Sequence, residues 1–317
     1  MAGDPDAAPD PRLEALRAAV NGVFVGRPSV IRNVMVGMLA GGHVLIEDVP
    51  GVGKTTLARA LARCIGGVFH RIQFTPDLLP SDVVGASIWD AGKSAFEFRP
   101  GPVFGNVVLA DEINRATPRT QAALLESMGE GQVSVDGTTR PLPVPFLVLA
   151  TQNPHEFEGT FPLPESQLDR FLLRLRIGYP APEEERRVLR GQDDPGALDR
   201  LEPVLDGRGV EALQARVRGV RVADDLADYI LSVVAETRRS PSLSLGASPR
   251  AGAMLYRASQ ALAVLEGRGF ILPDDVKRMA VPVLAHRLVS RQAPAGEGPD
   301  DREDLVRRIL DKVEVPR

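Results

Sequence analysis

The chain has 317 residues, 44% of them hydrophobic and 25% charged, with a formal net charge of −4, the balance of a soluble globular protein long enough for two domains. A single cysteine excludes a disulfide framework and any CxxC metal site, and no apolar run is long enough to cross a membrane. The chain shows no basic excess or cluster, which argues against nucleic acid as a partner, although a channel inside an oligomer would escape this test; a reducing, cytoplasmic setting is expected.

Residues 1–11 (MAGDPDAAPDP) have the composition of a disordered tail and not of a signal peptide. Leu13, Leu16 and Val20 keep helical spacing between Arg12 and Val20, and Gly22 is placed to end that helix. Pro28 suits the start of the next helix and Gly41 and Gly42 its stop. Just before it, Val25 and Gly26 are candidates for lining an adenine pocket, with a plain core turn equally compatible with the spacing.

The stretch from His43 to Thr56, HVLIEDVPGVGKTT, organises the rest of the chain. An apolar run (Val44, Leu45, Ile46) leads into a turn of Pro50, Gly51, Val52 and Gly53, and Lys54, Thr55 and Thr56 open a helix. Glycines let successive backbone N–H groups converge on phosphates, the helix N-terminus adds its positive dipole end, Lys54 reaches the outer phosphates, and the Thr55 hydroxyl suits Mg²⁺. Asp48 stands where the motif G-x-x-x-x-G-K-[ST] has its first glycine, with Glu47 beside it. Two carboxylates beside a polyanion repel it, and the working half of the loop, Gly51 to Thr55, is intact, so Asp48 is expected to turn away from the phosphates. Further along this helix, Cys64 shares core-facing spacing with Leu57, Leu61 and Ile65 and is expected to be buried.

Residues 68–73 read as a second strand, and residues 76–85 as a loop with a short helical piece. Ile88-Trp89 and Ala95–Phe98 flank a turn at 90–94 and suggest a hairpin, whose Trp89 and Phe98 either hold it together or meet a ligand. The run VVLADE at 107–112 is how a buried parallel strand delivers carboxylates to the sheet edge. Behind a phosphate loop, Asp111 would position Mg²⁺ through water and Glu112 would polarise the attacking water. Thr117-Pro118 starts a helix that Gly129 and Gly131 close, and Asp136-Gly137 signals a second hairpin. The strand FLVLATQNP ends at Asn153, whose amide could orient water or sense the outermost phosphate, or serve only the turn before Pro154. A short helix and a strand carrying Leu173, Leu175 and Ile177 close this first domain.

Tyr179–Pro182 reads as a linker into a helical domain with segments near 182–190, 208–218, 224–238, 248–265 and 273–287. There Ser248 caps a helix whose first turn holds Arg250, a cation set against the helix dipole, so an anion nearby is expected. A polar link at 291–302 precedes a last helix, Glu303 to Lys312. The histidines at 43, 70, 155 and 286 make no metal-ligand spacing, and no G-x-S-x-G elbow is present.

Together VGR, EDVPGVGKTT, LADEINRATPRTQAALLESM, LATQNPHEFEGTFPLPESQLDRF and GASPR, in this order, resemble the MoxR family of AAA+ ATPases from about residue 12 onward. The resemblance implies an α/β fold: a P-loop αβα sandwich with a parallel five-stranded sheet at 12–180, a small all-α lid at 181–290, and a linker with a C-terminal helix at 291–317. It implies ATP and Mg²⁺ as cofactors, a homo-oligomeric, hexameric ring, and similarity to the ATPase subunit of magnesium chelatase. By position, Asn153 resembles sensor 1, Arg170 an arginine finger and Arg250 sensor 2, while residues 87–98 resemble the helix-2 insertion and 131–145 the hairpin before sensor 1. The implied role is chaperone-like remodelling, maturation or metal-cofactor insertion of a separate partner protein, with a von Willebrand factor A type chain as a candidate because no such module is visible here. The rival readings are a nucleotide-gated binding module with little turnover, against which Glu112 argues, and a DNA-associated AAA+ regulator, against which the acidic balance argues.

Overall fold

The computed structural model describes residues 9–153, 159–190, 194, 196–291 and 299–316. Most of the N-terminal tail, His155 and residues 292–298 of the last link lie outside the described residues. The chain opens with α1 (Pro11–Val23), where Asp10 caps the helix by accepting from the Arg12 amide at 3.0 Å and Leu13, Leu16 and Val20 are buried. Gly22 does not end this helix, which runs one residue further to a cap at Phe24. Next come α2 (Pro28–Leu39), β1 (Val44–Glu47), α3 (Lys54–Cys64), β2 (Phe69–Gln73), α4 (Pro80–Val84) and the antiparallel hairpin β3 (Gly85–Asp90) and β4 (Ala95–Pro100). After β5 (Val107–Asp111) and α5 (Pro118–Glu130) a second hairpin pairs β6 (Gln132–Val135) with β7 (Thr138–Pro141) through Asp136 and Gly137, both at positive φ (51° and 73°). The nucleotide-loop domain ends with β8 (Leu147–Gln152), α6 (Glu165–Leu168) and β9 (Leu173–Leu175).

Five strands form one parallel sheet in the order β2-β5-β8-β1-β9. Alternate residues pack on opposite faces. Val44, Ile46, Val107, Leu109, Leu147 and Leu149 join the core with α1, α2 and α3, whereas Leu45, Val108, Ala110, Val148 and Ala150 join the core with α5. A sheet covered on both sides is why these strands read as near-continuous apolar runs, each buried Val or Leu contributing about 1.5–3 kcal/mol. Cys64 is fully buried there, which pushes its thiol up to about 11.

The remaining chain builds a helical lid from α7 (Pro182–Leu189), α8 (Gly207–Arg218), α9 (Asp224–Arg239), α10 (Pro249–Leu265), α11 (Pro273–Leu284) and α12 (Pro299–Lys312). One antiparallel ribbon, β10 (Leu243–Leu245) with β11 (Val289–Ser290), was not legible in the sequence. Three boundaries also differ: α12 starts at Pro299 and not Glu303, Gly129 stays inside α5 with Gly131 alone (φ 63°) closing it, and residues 285–287 form a separate 3-10 turn after α11. Among the described residues no helix is long and apolar enough to cross a membrane.

His43, just before β1, ties three elements. Its Nδ1 accepts from the Val148 amide (3.0 Å) and its Nε2 donates to the Met128 carbonyl at the end of α5 (3.1 Å). Burial pulls its pKa from 6.5 down to about 4, and the nearby Arg250 charge acts the same way. The ring is therefore neutral when folded, and an unfolded chain binds the proton first as pH drops. Its contribution is fully present above about pH 6.5 and is lost as the pH falls toward 4. Between pH 7.5 and pH 5, urea unfolding should show the wild type losing about 2 kcal/mol more than His43→Gln, whose amide can replace both hydrogen bonds; parallel losses would contradict this role.

Candidate active site

The C-terminal ends of β2, β5, β8 and β1 meet the start of α3 around a cleft of about 230 Å³, lined by Pro50, Gly51, Gly53, Lys54, Thr55, Arg71, Gln73, Asp111, Glu112 and Asn153. Gly51 (φ 84°) and Gly53 (φ 87°) hold left-handed conformations that side-chain-bearing residues rarely adopt, so the loop can wrap its backbone toward the cleft. Lys54 begins α3, and its Nζ donates to the Asp48 carbonyl across the loop at 2.9 Å. Val52 is buried beneath the loop, and neither it nor Thr56 lines the cleft.

Opposite the loop stand the two acids. The Thr151 hydroxyl donates to Asp111 Oδ1 at 2.7 Å and accepts from the Glu112 amide at 2.9 Å, so one side chain on β8 fixes the end of β5. Glu112 leaves the strand at φ 57°, which swings its carboxyl off the line of β5. Arg71 donates to Asp111 Oδ2 (2.6 and 3.2 Å) and to Gln73 Oε1 (2.8 Å). Gln73 Nε2 and Arg115 then both donate to Glu112 Oε2, at 2.8 and 3.1 Å. With its oxygen held by Arg71, the Gln73 amide has only one orientation that serves Glu112. A hydroxyl (Thr55) and a carboxylate (Asp111) in one cleft with Lys54 form the sparse, hard-oxygen set that Mg²⁺ takes beside phosphates. Among the described residues no cluster of three His, Cys, Asp or Glu makes a protein-only metal cage.

Asp48 turns away from the cleft. Its Oδ2 accepts from the amides of Ile177 (2.6 Å) and Gly178 (2.7 Å) beyond β9, and its Oδ1 accepts from Val49 at 2.9 Å. Glu47 is held by Arg174 at 2.9 Å, both side chains under 10% exposed, and by Gln152 at 2.5 Å. Arg174 also reaches Glu303 of α12 at 3.1 Å.

Val25 and Gly26 do not line the cleft, but Phe24 beside them joins their loop to the phosphate loop. A methyl group added at Gly26 would sit 2.5 Å from Phe24 Cε1, and one at Gly53 3.2 Å from Cε2. The buried Phe24 ring is thus wedged behind both glycines. Sequence reasoning passed over Phe24, Arg71, Gln73 and Thr151. The one signal for Arg71 and Gln73 was polar residues alternating with Ile72 at the end of a strand that should carry ligand-facing groups.

Neither Arg170 nor Arg250 lines this chain's cleft. Arg170 pairs with neither Asp169 nor Glu165. Its Nη1 donates to the Leu125 carbonyl of α5 at 2.6 Å, and a methyl group at Gly129 would come within 2.5 Å of that nitrogen. Arg250 is exposed in the first turn of α10, and Ser248 caps that helix by accepting from Ala251 at 3.1 Å. The Ser248 hydroxyl donates to Asp169 at 3.2 and 3.3 Å, which brings a carboxylate to the cap of this helix.

With three amides on its carboxylate and none of its side-chain bonds directed at the cleft, Asp48 acts on stability. Asp48→Gly should lose about 2–4 kcal/mol in denaturant unfolding, while the affinity of the folded protein for an ATP analogue, measured by titration, stays within about threefold. A large loss of affinity at unchanged stability would reverse this assignment.

Comparison with known proteins places these features in one group. Residues 43–173 match the ATPase family associated with various cellular activities (AAA), and residues 235–309 match the AAA lid domain. The uncharacterized protein YeaC of Bacillus subtilis is 51% identical over 297 residues, covering 94% of this chain and 92% of its own. The chaperone MoxR1 of Mycobacterium tuberculosis is 43% identical over 317 residues, covering 96% of this chain and 82% of its own. A solved structure of a candidate ATPase from Cytophaga hutchinsonii superposes with a TM-score of 0.88 at 38% identity, over 97% of this chain and 96% of its own. A phosphate loop facing an Asp-Glu pair, under a helical lid, in a chain this close to MoxR1 belongs to the MoxR family of AAA+ ATPases.

Proposed function

We propose that this ATPase hydrolyses ATP to ADP and phosphate with Mg²⁺ and couples the reaction, as a hexameric ring in the cytoplasm, to chaperone-like remodelling of a separate partner protein. The observation that carries the reading is the cleft itself, which sets Lys54 and Thr55 on one wall and Asp111 and Glu112 on the other. The loop amides and Lys54 bind the outer phosphates. Thr55 and Asp111 would hold Mg²⁺, which shields phosphate charge when bound. Glu112 takes a proton from the attacking water, and Asn153 orients that water or senses the outermost phosphate. The chaperone name of MoxR1 supports the remodelling role, which extends to maturation or metal-cofactor insertion in the partner. A von Willebrand factor A type chain is the partner class we favour. The exposed Trp89 and Phe96, packed edge to face at 5.2 Å on the β3–β4 hairpin, offer an apolar grip for it.

Ring assembly supplies what one chain's cleft does not hold. Among the described lining residues the cations are Lys54 and Arg71, and Arg71 is spent on Asp111. The transition state spreads charge over the outer phosphate oxygens, and a guanidinium brought to it is worth about 10³–10⁵ in rate. Arg170 and Arg250, neither of which lines its own cleft, serve the cleft of the next subunit in this reading. Arg170→Ala should therefore bind ATP normally and hydrolyse it about 10³-fold more slowly or worse. Mixed with Lys54→Ala, itself inactive, it should regain partial activity in co-assembled rings. Co-assembly without recovery, or full activity of Arg170→Ala alone, would refute the assignment in trans.

A further inference from the structure

Arg287 lies in the 3-10 turn after α11, with its side chain 2% exposed, and reaches out of the lid into the segment between α6 and β9. Its Nε donates to Asp169 Oδ1 at 2.8 Å. Its terminal nitrogens donate to the carbonyls of Phe171, of Leu172 (3.3 Å) and of Asp169 (3.4 Å). A planar fork that takes one carboxylate and three carbonyls around residue 170 fixes that stretch of backbone in place. Asp169 in turn accepts from Ser248, the cap of the helix whose first turn carries Arg250. Burial lowers Arg287 to about 10, which leaves it charged at neutral pH. His286 beside it is kept neutral by burial and by the Arg287 charge, and its Nε2 stands 2.8 Å from an Arg287 terminal nitrogen and 3.3 Å from the Phe171 carbonyl. All these contacts converge on residues flanking the two arginines, and none of them touches the phosphate cleft.

We infer that Arg287 is a positioning residue: through Asp169, with Ser248 completing the bridge, it locks Arg170 of the nucleotide domain and Arg250 of the lid into one unit that is delivered to the neighbouring subunit. The inference rests on the reading of those arginines as acting in trans. The lid and the finger then cannot move independently, so any lid displacement in one subunit is felt at the phosphates of the next.

Polarity separates positioning from general damage. Asp169→Asn removes the charge and keeps the shape. It is placed first in the Lys54→Ala chain, which supplies the arginines in mixed rings, and then in the Arg170→Ala chain, which supplies the working cleft. Recovered ATP hydrolysis should fall about 10²-fold in the first arrangement, as for a misplaced catalytic group, and stay within about twofold in the second. Arg287→Lys should show the same polarity, provided thermal unfolding shows the variant folded. Equal losses in both arrangements, or none in either, would overturn the inference. If the unmodified pair fails to recover activity, the reading in trans falls by itself. The lock is then judged by hydrogen exchange in the full-length protein. The amides of Phe171 and Leu172, which bond to Leu168 and His43, should exchange at least about tenfold faster in Asp169→Asn, with those of β5 unchanged. Unchanged exchange at both would refute the lock as well.

Discussion

Four carboxylates stand at the edge of a sheet built to receive a polyanion, and the site depends on keeping each of them where it does not repel the ligand. Glu47 and Asp48 leave β1 side by side, and Asp111 and Glu112 end β5. At distances of a few ångströms, like charges cost several kcal/mol at the dielectric of a partly buried site. The fold answers with a dedicated partner for every acid. Asp48 is spent on the backbone beyond β9, Glu47 on the buried Arg174, Asp111 on Thr151 and Arg71, and Glu112 on Gln73 and Arg115. Only the last two acids face the cleft, and only they have chemistry assigned to them.

Two of those arrangements extend far beyond the site. Arg174 joins Glu47, at the root of the phosphate loop, to Glu303 on α12. Gln152, next to Asn153, shares the same Glu47. Removing one partner from a buried pair of this kind costs about 3–5 kcal/mol, because the other charge is left unpaired in a poor solvent. Arg287 does the equivalent just ahead of β9, tying the lid to the segment around Arg170. The lid therefore meets the nucleotide domain through two buried guanidinium groups as well as through apolar packing; the Arg287 contact ends beside Arg170, and the Arg174 contact reaches Gln152, next to Asn153, through Glu47. Apolar packing tolerates sliding, whereas a forked, charged contact has one geometry. That makes these two arginines the natural places for lid position to be communicated.

Local features were legible in the sequence. The phosphate loop, the Asp-Glu strand end, the Thr117-Pro118 and Ser248-Pro249 helix starts and the Asp136-Gly137 turn each follow from residues within a few positions of one another, and the structure forms them there. The expectation that Asp48 turns away rested on charge and on the intact run from Gly51 to Thr55, and the sequence could not say toward what, because Ile177 and Gly178 lie about 130 residues on. Arg71, Gln73 and Thr151 escaped notice for the same reason: their value comes from sheet order, which sets β2 beside β5 and β5 beside β8. Nothing in the neighbouring sequence marks Arg287, because its burial depends on contacts with residues 115 to 118 positions away. The ribbon of β10 and β11 was missed because its strands are two and three residues long and lie some forty residues apart, too short for any alternation to show.

In the proposed mechanism the Asp-Glu pair makes this cleft a hydrolytic site and not merely a nucleotide-gated one, and steady-state phosphate release by Glu112→Gln decides between the two. Glutamine keeps the shape of the side chain and loses the ability to take a proton from water. The variant should bind ATP as tightly as the wild type and release phosphate at least about 10²-fold more slowly, the usual worth of a positioned base. Turnover by Glu112→Gln at a rate close to that of the wild type, with ATP bound, would contradict the claim.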